Sequence, residues 1–476
     1  MAEPLWHWDE LVEAAGGTAD GRPPGNRIES IAIDSRTATA GDLFVALKDK
    51  RDGHDFVASA FKAGASAALV SNDYDRKPED GALIRVDNTL RGLERIAMAA
   101  RARLAHNARV IAITGSAGKT TTKEMLKAGL SRLGPTHAAD KSFNNHWGVP
   151  LTLARMPRDT KFGVFEIGMN HAGEIAPLAK MVRPHVAIVL NVLEAHLGHF
   201  ASTAGIAEEK AQIFTGLIEG GTAIYYADSA HVEILRGAAE ASNGKVQTFG
   251  SGGENDAQSV GSGGFDEDPL NSPFARVRFK EDNLLVQCRL PAPGGHIAMN
   301  AVAAMLAIRA VGGDVDVAAR GFEDLTAPEG RGTRYHFNIP DGEFLLIDES
   351  YNANPGSMAA AIDTARKAVQ GDFKRLVLVL GDMLELGEHS SRLHLALKSA
   401  IDDCRHVLVF TAGEQMARLF DALEPAQQGG KGAIPADVEQ QLLAAIRPGD
   451  VVMVKGSNGA RTWTLAAALR RHFACG

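Results

Sequence analysis

Arg109-Val-Ile-Ala-Ile-Thr-Gly-Ser-Ala-Gly-Lys-Thr-Thr-Thr-Lys-Glu-Met-Leu-Lys127 decides the fold. Val110–Ile113 is short, apolar and rich in β-branched residues, as a buried strand requires. Residues 114–118 are small and glycine-rich, which suits a tight turn with outward-facing N–H groups. From Lys119 the spacing of Met125, Leu126, Leu130 and Leu133 predicts a helix with one apolar side. Strand, turn and helix N-terminus together bind anions, because free N–H groups and the positive end of the helix dipole meet at one point. Lys119 adds a cation for outer phosphates, and the Thr120 hydroxyl suits Mg²⁺. The loop is the short form Gly115-x-x-Gly118-Lys119-Thr120, with Ile113 where the common phosphate loop has its first glycine. A chance Gly-Lys-Thr in an ordinary strand–turn–helix is the competing reading.

Around this unit the chain runs to 476 residues, too many for one core, and three domains are expected. Its 45% apolar and 23% charged residues belong to a soluble globular protein. A net charge of −8 argues against nucleic acid as a partner. Cys288, Cys404 and Cys475 have no paired spacing, so neither a disulfide framework nor a zinc site is expected. The first residues lack the basic start and apolar stretch of a signal peptide, and no apolar run reaches membrane-spanning length. A cytoplasmic protein is expected.

The fold class predicted is α/β in three domains. Residues 1–107 form a small α/β lobe, with a helix from Trp8, strands near Ile31–Asp34, Leu43–Leu47, Ala67–Val70 and Leu83–Val86, and a helix Val57–Ala63 stopped by Gly64. Residues 108–325 hold the phosphate loop in a parallel sheet, with strands Val110–Thr114, Phe162–Ile167, Val186–Val192 and Thr222–Tyr226 separated by helical patterns. Gly250–Pro273 reads as a flexible surface excursion, and Ala275–Phe279 with Leu284–Leu290 as a hairpin. Residues 326–476 are a second, Rossmann-like doubly wound unit, with strands Phe344–Asp348, Arg375–Leu380, Val407–Phe410 and Val451–Lys455.

Open parallel sheets bind ligands at the C-terminal ends of their strands. Glu166 sits in such a strand end, where a carboxylate needs compensation; Mg²⁺ would supply it, and so would solvent. His196 follows the next strand. Lys210 lies on the apolar face formed by Ile206, Ile213, Phe214 and Leu217. A lysine there usually snorkels to water. Burial would instead lower its pKa and leave a neutral amine able to take up CO₂ as a carbamate. Arg36, in Asp34-Ser35-Arg36, is either an anion ligand or a solvated turn residue.

These motifs resemble the ATP-dependent Mur ligases of peptidoglycan synthesis along nearly the whole chain. The marks are residues 114–122, Asn144-Asn145, Glu166-Ile-Gly-Met-Asn-His171, His196 with Lys210, Gly295-His296 and Gly330-Arg331. Asp34-Ser35-Arg36 with residues 41–47 resembles the lobe that binds the uridine-linked substrate. Asp348-Glu-Ser-Tyr-Asn-Ala-Asn-Pro-Gly-Ser-Met358 and Gly381-Asp-Met-Leu-Glu-Leu-Gly387 resemble the member that adds D-alanyl-D-alanine, and the Asp-Asn-Pro-Arg signature of the diaminopimelate- or lysine-adding member is absent.

The resemblance implies an amide ligase that joins D-alanyl-D-alanine to a UDP-N-acetylmuramoyl-tripeptide (UDP-MurNAc-tripeptide) through an acyl phosphate. It implies catalysis by Lys119, Glu166, His196 and Lys210, with Thr120, Glu166, His196 and carbamylated Lys210 holding Mg²⁺, two ions in all. ATP would meet Gly115, Ser116, Ala117, Gly118, Lys119, Thr120, Thr121, Asn300, Arg331 and Asp348. The other substrates would meet Ser35, Arg36, Asn144, Asn145, Tyr351, Asn352 and Asn354. No nucleic acid or membrane partner is implied, and a monomer is expected. Ile297 and Asn458 depart from the family pattern at an adenine-side asparagine and a late arginine. The competing functions are a sister ligase that adds a single amino acid to a related UDP-linked or folate-like substrate, and a nucleotide-gated binding protein without ligase chemistry.

Overall fold

The computed structural model describes residues 3–263 and 273–474. Cys475 lies outside the described residues, as do positions 264–272 of the predicted surface excursion.

The first lobe is a five-stranded sheet in the order Thr18–Asp20, Ala82–Val86, Ala67–Ser71, Asp42–Val45, Ser30–Ala32. Only the outermost pair, Thr18–Asp20 with Ala82–Val86, is antiparallel. The helix Val57–Ala63 ends where Gly64 takes φ 116°, as a glycine cap allows. Trp6 is fully buried; its indole N–H donates to the Ala154 carbonyl of the next domain at 2.9 Å, and the Arg103 guanidinium lies 3.5 Å above the ring. Lobe and central domain therefore share a core.

The central sheet has nine strands, in the order Leu285–Arg289, Phe274–Phe279, Ala257–Gly263, Lys245–Gly250, Thr222–Tyr226, Val186–Val189, Arg109–Thr114, Phe162–Glu166, Thr136–Ala138. The pairings from Ala257–Gly263 to Thr136–Ala138 are parallel, and the hairpin side is antiparallel. The phosphate-loop strand is buried on both faces, which explains its unbroken apolar run. Register sets Glu166 opposite Ile113 and Thr114 opposite Val189, so the polar strand ends align at one rim. The helix Gly295–Ala310 packs beside the phosphate-loop helix in one shared core against the sheet and is apolar nearly all round because it is enclosed. Residues 257–263 correct the expected excursion. They form a strand between two neighbours, so sheet hydrogen bonds override a Gly- and Ser-rich sequence. The helix carrying Lys210 is also shorter than its pattern: Thr203–Ala211 is α-helical and Gln212–Gly216 tightens to 3₁₀.

The third domain has six strands, in the order Thr333–Ile339, Gly342–Asp348, Asp450–Lys455, Arg375–Gly381, Val407–Ala412, Gln428–Gly432. The first pair is antiparallel and the rest parallel. Late insertion of Asp450–Lys455 beside Arg375–Gly381 brings the loops after both strands together: the Leu384 N–H donates to Ser457 Oγ at 2.9 Å. This rim faces the central domain. The Gly198 N–H donates to the Glu385 carbonyl at 2.9 Å, and a Cβ on Gly387 would lie 2.8 Å from Gly198 Cα, so the two backbones cross where only glycines fit.

Candidate functional site

The phosphate loop is fastened from the neighbouring strand end. Asn191 Oδ1 accepts from the Ala117 N–H at 2.9 Å, Asn191 Nδ2 donates to the Ala117 carbonyl at 3.1 Å, and Ser116 Oγ accepts from the Leu193 N–H at 2.9 Å. Gly118 turns the chain into the helix at φ 82°, against the amide of Asn300. The first N–H groups of the helix Lys119–Ser131 have no intrahelical carbonyl to meet. Lys119 folds over the loop and donates to the Gly115 carbonyl at 2.6 Å. Burial pulls its ammonium below the ordinary lysine range; Glu166 opposes this and the Arg331 charge adds to it.

Next to the loop lies a compact oxygen-rich cluster. Glu166 is 4% exposed. Thr120 Oγ1 donates to Glu166 Oε2 at 2.9 Å and lies 2.9 Å from Ser142 Oγ, and Asn144 Nδ2 donates to Glu166 Oε1 at 2.6 Å. From the third domain, Arg331 Nη2 donates to Ser142 Oγ at 3.3 Å, and its guanidinium stacks 3.9 Å from the centre of the Tyr351 ring. A carboxylate and a hydroxyl in contact at a strand end beside a phosphate loop are hard donors of the kind Mg²⁺ takes.

Of the four expected catalytic residues, three line one cavity and Lys210 is not among its lining. Lys119, Thr120, Glu166 and His196 line a single cavity of about 430 Å³ between the central and third domains. His196 has left-handed backbone angles, φ 61° and ψ 23°, and its Nδ1 sits 2.5 Å from Glu385 Oε2 of the third domain. That contact holds the Glu385 carboxyl below its usual range. Lys210 lies behind the wall, 2% exposed, with no hydrogen-bond or ion-pair partner among the described residues. Burial lowers its pKa well below the ordinary value; the nearby Lys119 charge lowers it further, and Glu209 opposes. Glu209 itself accepts from the Gly173 and Ile175 N–H groups, both at 2.8 Å.

Ser116, Ala117, Gly118, Thr121, Asn144, Asn145 and Asn300 line the same cavity, and so do Arg331, Tyr351, Asn352 and Asn354 across from them. Asn354 also caps the helix Pro355–Lys367, accepting from the Ser357 N–H at 2.8 Å. Asp348 is not among the residues that line this cavity. Its side chain is buried away from the cavity, accepts from Ser350 Oγ at 2.5 Å and is raised in pKa by burial. Side chains alternate along a strand, so its neighbour Glu349 faces the cavity instead. Glu349 accepts at 3.4 Å from Lys455, which also donates to the Asn352 carbonyl at 3.0 Å. Ser35 and Arg36 lie outside this cavity, in the first lobe. Arg36 bonds to Asp34, whose carboxyl it holds down at about 2. A second cavity of about 460 Å³ opens between lobe and central domain, walled by Thr37, Asp42, Lys127, Asp140 and Arg155 but by neither Ser35 nor Arg36.

Ser142, Asn191, Glu349, Glu385 and Lys455 complete the surroundings and were not among the expected site residues. Asn191 carries a readable signal, a lone amide ending the apolar run next to the phosphate-loop strand; Glu385 lies inside the quoted 381–387 motif, but its pairing with a residue 189 positions away is not legible there.

A methyl group on Gly118 would lie 2.5 Å from Asn300 Oδ1, at a φ that side chains rarely adopt. Gly118→Ala is therefore expected to cost about 1–3 kcal/mol of folding stability, seen as a lower melting temperature, and to weaken ATP binding, as read by thermal unfolding and titration calorimetry. Unchanged ATP affinity would mean that the turn adapts.

Three family profiles match the chain: "Mur ligase family, catalytic domain" over residues 27–101, "Mur ligase middle domain" over 113–308 and "Mur ligase, glutamate ligase domain" over 334–458. A curated relative from Bacillus subtilis (strain 168), UDP-N-acetylmuramoyl-tripeptide–D-alanyl-D-alanine ligase, is 35% identical over 91% of each chain. Among solved structures, MurF from Acinetobacter baumannii superposes with a TM-score of 0.83 at 31% identity, covering 98% of this chain and 99% of its own. MurF ligase from Thermotoga maritima, solved with ADP, gives a TM-score of 0.74 at 25% identity, covering 94% and 98%.

Proposed function

The chain belongs to the Mur ligase family, and from that membership we propose that it joins D-alanyl-D-alanine to UDP-MurNAc-tripeptide at the expense of ATP, giving the UDP-linked pentapeptide precursor of peptidoglycan. The observation that carries this reading is convergence. The phosphate loop, the Thr120–Glu166 pair and His196 from the central domain share one cavity with Arg331, Tyr351, Asn352 and Asn354 from the third.

A carboxylate is a poor electrophile, so the terminal carboxylate of the tripeptide first attacks the γ-phosphorus of ATP. The bond to ADP breaks and an acyl phosphate forms. The amine of D-alanyl-D-alanine then attacks the acyl carbon, its nitrogen gives up a proton, and phosphate leaves with the bonding electrons and takes up that proton. Lys119, the helix N–H groups and Arg331 would stabilise the charge on the transferring phosphoryl group. Mg²⁺, which would be held by Thr120 and Glu166 with His196 and a Lys210 carbamate nearby, supplies further charge neutralisation there. The protein's main contribution is positioning, since no covalent enzyme intermediate is needed. We assign the first lobe to the uridine end of the substrate, the central domain to ATP and the third domain to the incoming dipeptide. A cytoplasmic monomer is part of the same reading; no helix among the described residues is long and apolar enough to cross a membrane.

Incubation with ATP, D-alanyl-D-alanine and UDP-tripeptides ending in lysine or diaminopimelate, read by mass spectrometry, is expected to give the pentapeptide product with stoichiometric ADP. Faster ADP release with single amino acids or folate-like acceptors would assign a sister ligase instead. ATP binding without any amide formation would leave only a binding function.

A further inference from the structure

We propose that Lys123 is a positioning residue for this reaction: its buried ammonium fixes the start of the 139–147 loop, so that Ser142 and Asn144 are held against Thr120 and Glu166. The proposal rests on the reading of the cavity given above. Lys123 is 0% exposed, on the phosphate-loop helix three residues after Thr120 and so on the same side of it. A lysine is almost never fully buried unless it is paired. Lys123 Nζ donates to the Ala139 carbonyl at 2.5 Å and lies 2.9 Å from Glu124 Oε1. It touches neither the cavity nor any group given a role in the chemistry.

Its effect is transmitted through the loop. Ala139 follows Thr136–Ala138, the outermost strand of the central sheet, so among the described residues no further strand lies beyond to fix the chain there. From Ala139 the backbone leads to Ser142, which meets Thr120 and Arg331, and to Asn144, which meets Glu166 and whose carbonyl accepts from the Gly168 N–H at 2.8 Å. One helix therefore grips the loop at two points a turn apart, Thr120 on Ser142 and Lys123 on Ala139. An aliphatic side chain at 123 fills the space but leaves the Ala139 carbonyl without its donor, and the loop start is then free to shift.

Lys123→Met is expected to lower kcat by about 10–100-fold, the usual range for losing a group that orients a ligand from behind, and to raise the Mg²⁺ concentration needed for half-maximal rate. KM for the UDP-tripeptide should stay within about two-fold, because the uridine end lies in another lobe. Lys123→Arg should recover most of the rate. Ser142→Ala combined with Lys123→Met should be little worse than Lys123→Met alone, since both act through one loop position. Wild-type kcat in Lys123→Met, or losses that multiply in the double variant, would overturn the proposal. If Lys123→Met does not fold, Lys123→Gln, polar but too short for the Ala139 carbonyl, takes its place in the same cycle. The wild-type protein assayed in parallel separates the two readings. Failure of wild-type ligation sinks the function; normal ligation with an indifferent Lys123 sinks only the positioning role.

Discussion

Lys119→Ala is expected to lower kcat/KM for ligation by about 10²–10³-fold, with most of the loss in the chemical step. The wild-type side chain is half-buried at the cavity wall beside the glycine turn and already donates to the Gly115 carbonyl, so it is ordered over the loop. A cation in that place acts on phosphoryl oxygens with little water to screen it, and the missing charge is not replaced by solvent at the moment of transfer. Because burial lowers its pKa and Glu166 only partly restores it, the ammonium is lost at a lower pH than that of a free lysine. The alkaline limb of the wild-type pH profile of kcat/KM for ATP, which reports the free enzyme, should therefore fall below the ordinary lysine range. ADP release under saturating substrates gives kcat, and calorimetry with ATP separates the binding loss. A Lys119→Ala protein that ligates within three-fold of wild type would remove the phosphate loop from the mechanism.

The features legible beforehand are those set by local sequence. An apolar run followed by Gly-Ser-Ala-Gly-Lys-Thr pointed to a strand, a tight turn and a helix start, and Glu166 stood out because a carboxylate at an apolar strand end needs either a cation or solvent to compensate it. The strands buried on both faces were readable because parallel sheets demand continuous apolar residues. The polar strand Thr333–Ile339 was not, since it pairs at a sheet edge with one face half-exposed. Asp348 against Glu349 shows a finer limit: a strand-end motif names the neighbourhood, but the pleat decides which of two adjacent carboxylates turns to the cavity. The contact of His196 with Glu385 and the crossing of Gly198 over Gly387 depend on how two domains sit together, and no periodicity encodes that.

Lys210→Met is expected to abolish ligation while leaving the protein at least as stable, a combination that separates a functional lysine from a structural one. The sign follows from proton counting. Unfolded, Lys210 holds its proton up to the ordinary lysine pKa; folded, it releases it far lower because of burial and the Lys119 charge. Between those two pKa values the unfolded chain binds more protons, so stability rises with pH across that window, and at neutral pH the residue works against folding. Methionine removes the penalty and fills the same apolar face. Carbamylation offers the wild-type protein another way out. The neutral amine attacks the carbon of CO₂, a proton leaves, and an uncharged group becomes an anion that attracts Lys119. Activity should accordingly fall in CO₂-depleted buffer and return with bicarbonate, and bicarbonate should raise the melting temperature of wild type but not of Lys210→Met. An active Lys210→Met protein would end the carbamate assignment, and so would a bicarbonate response equal in both proteins.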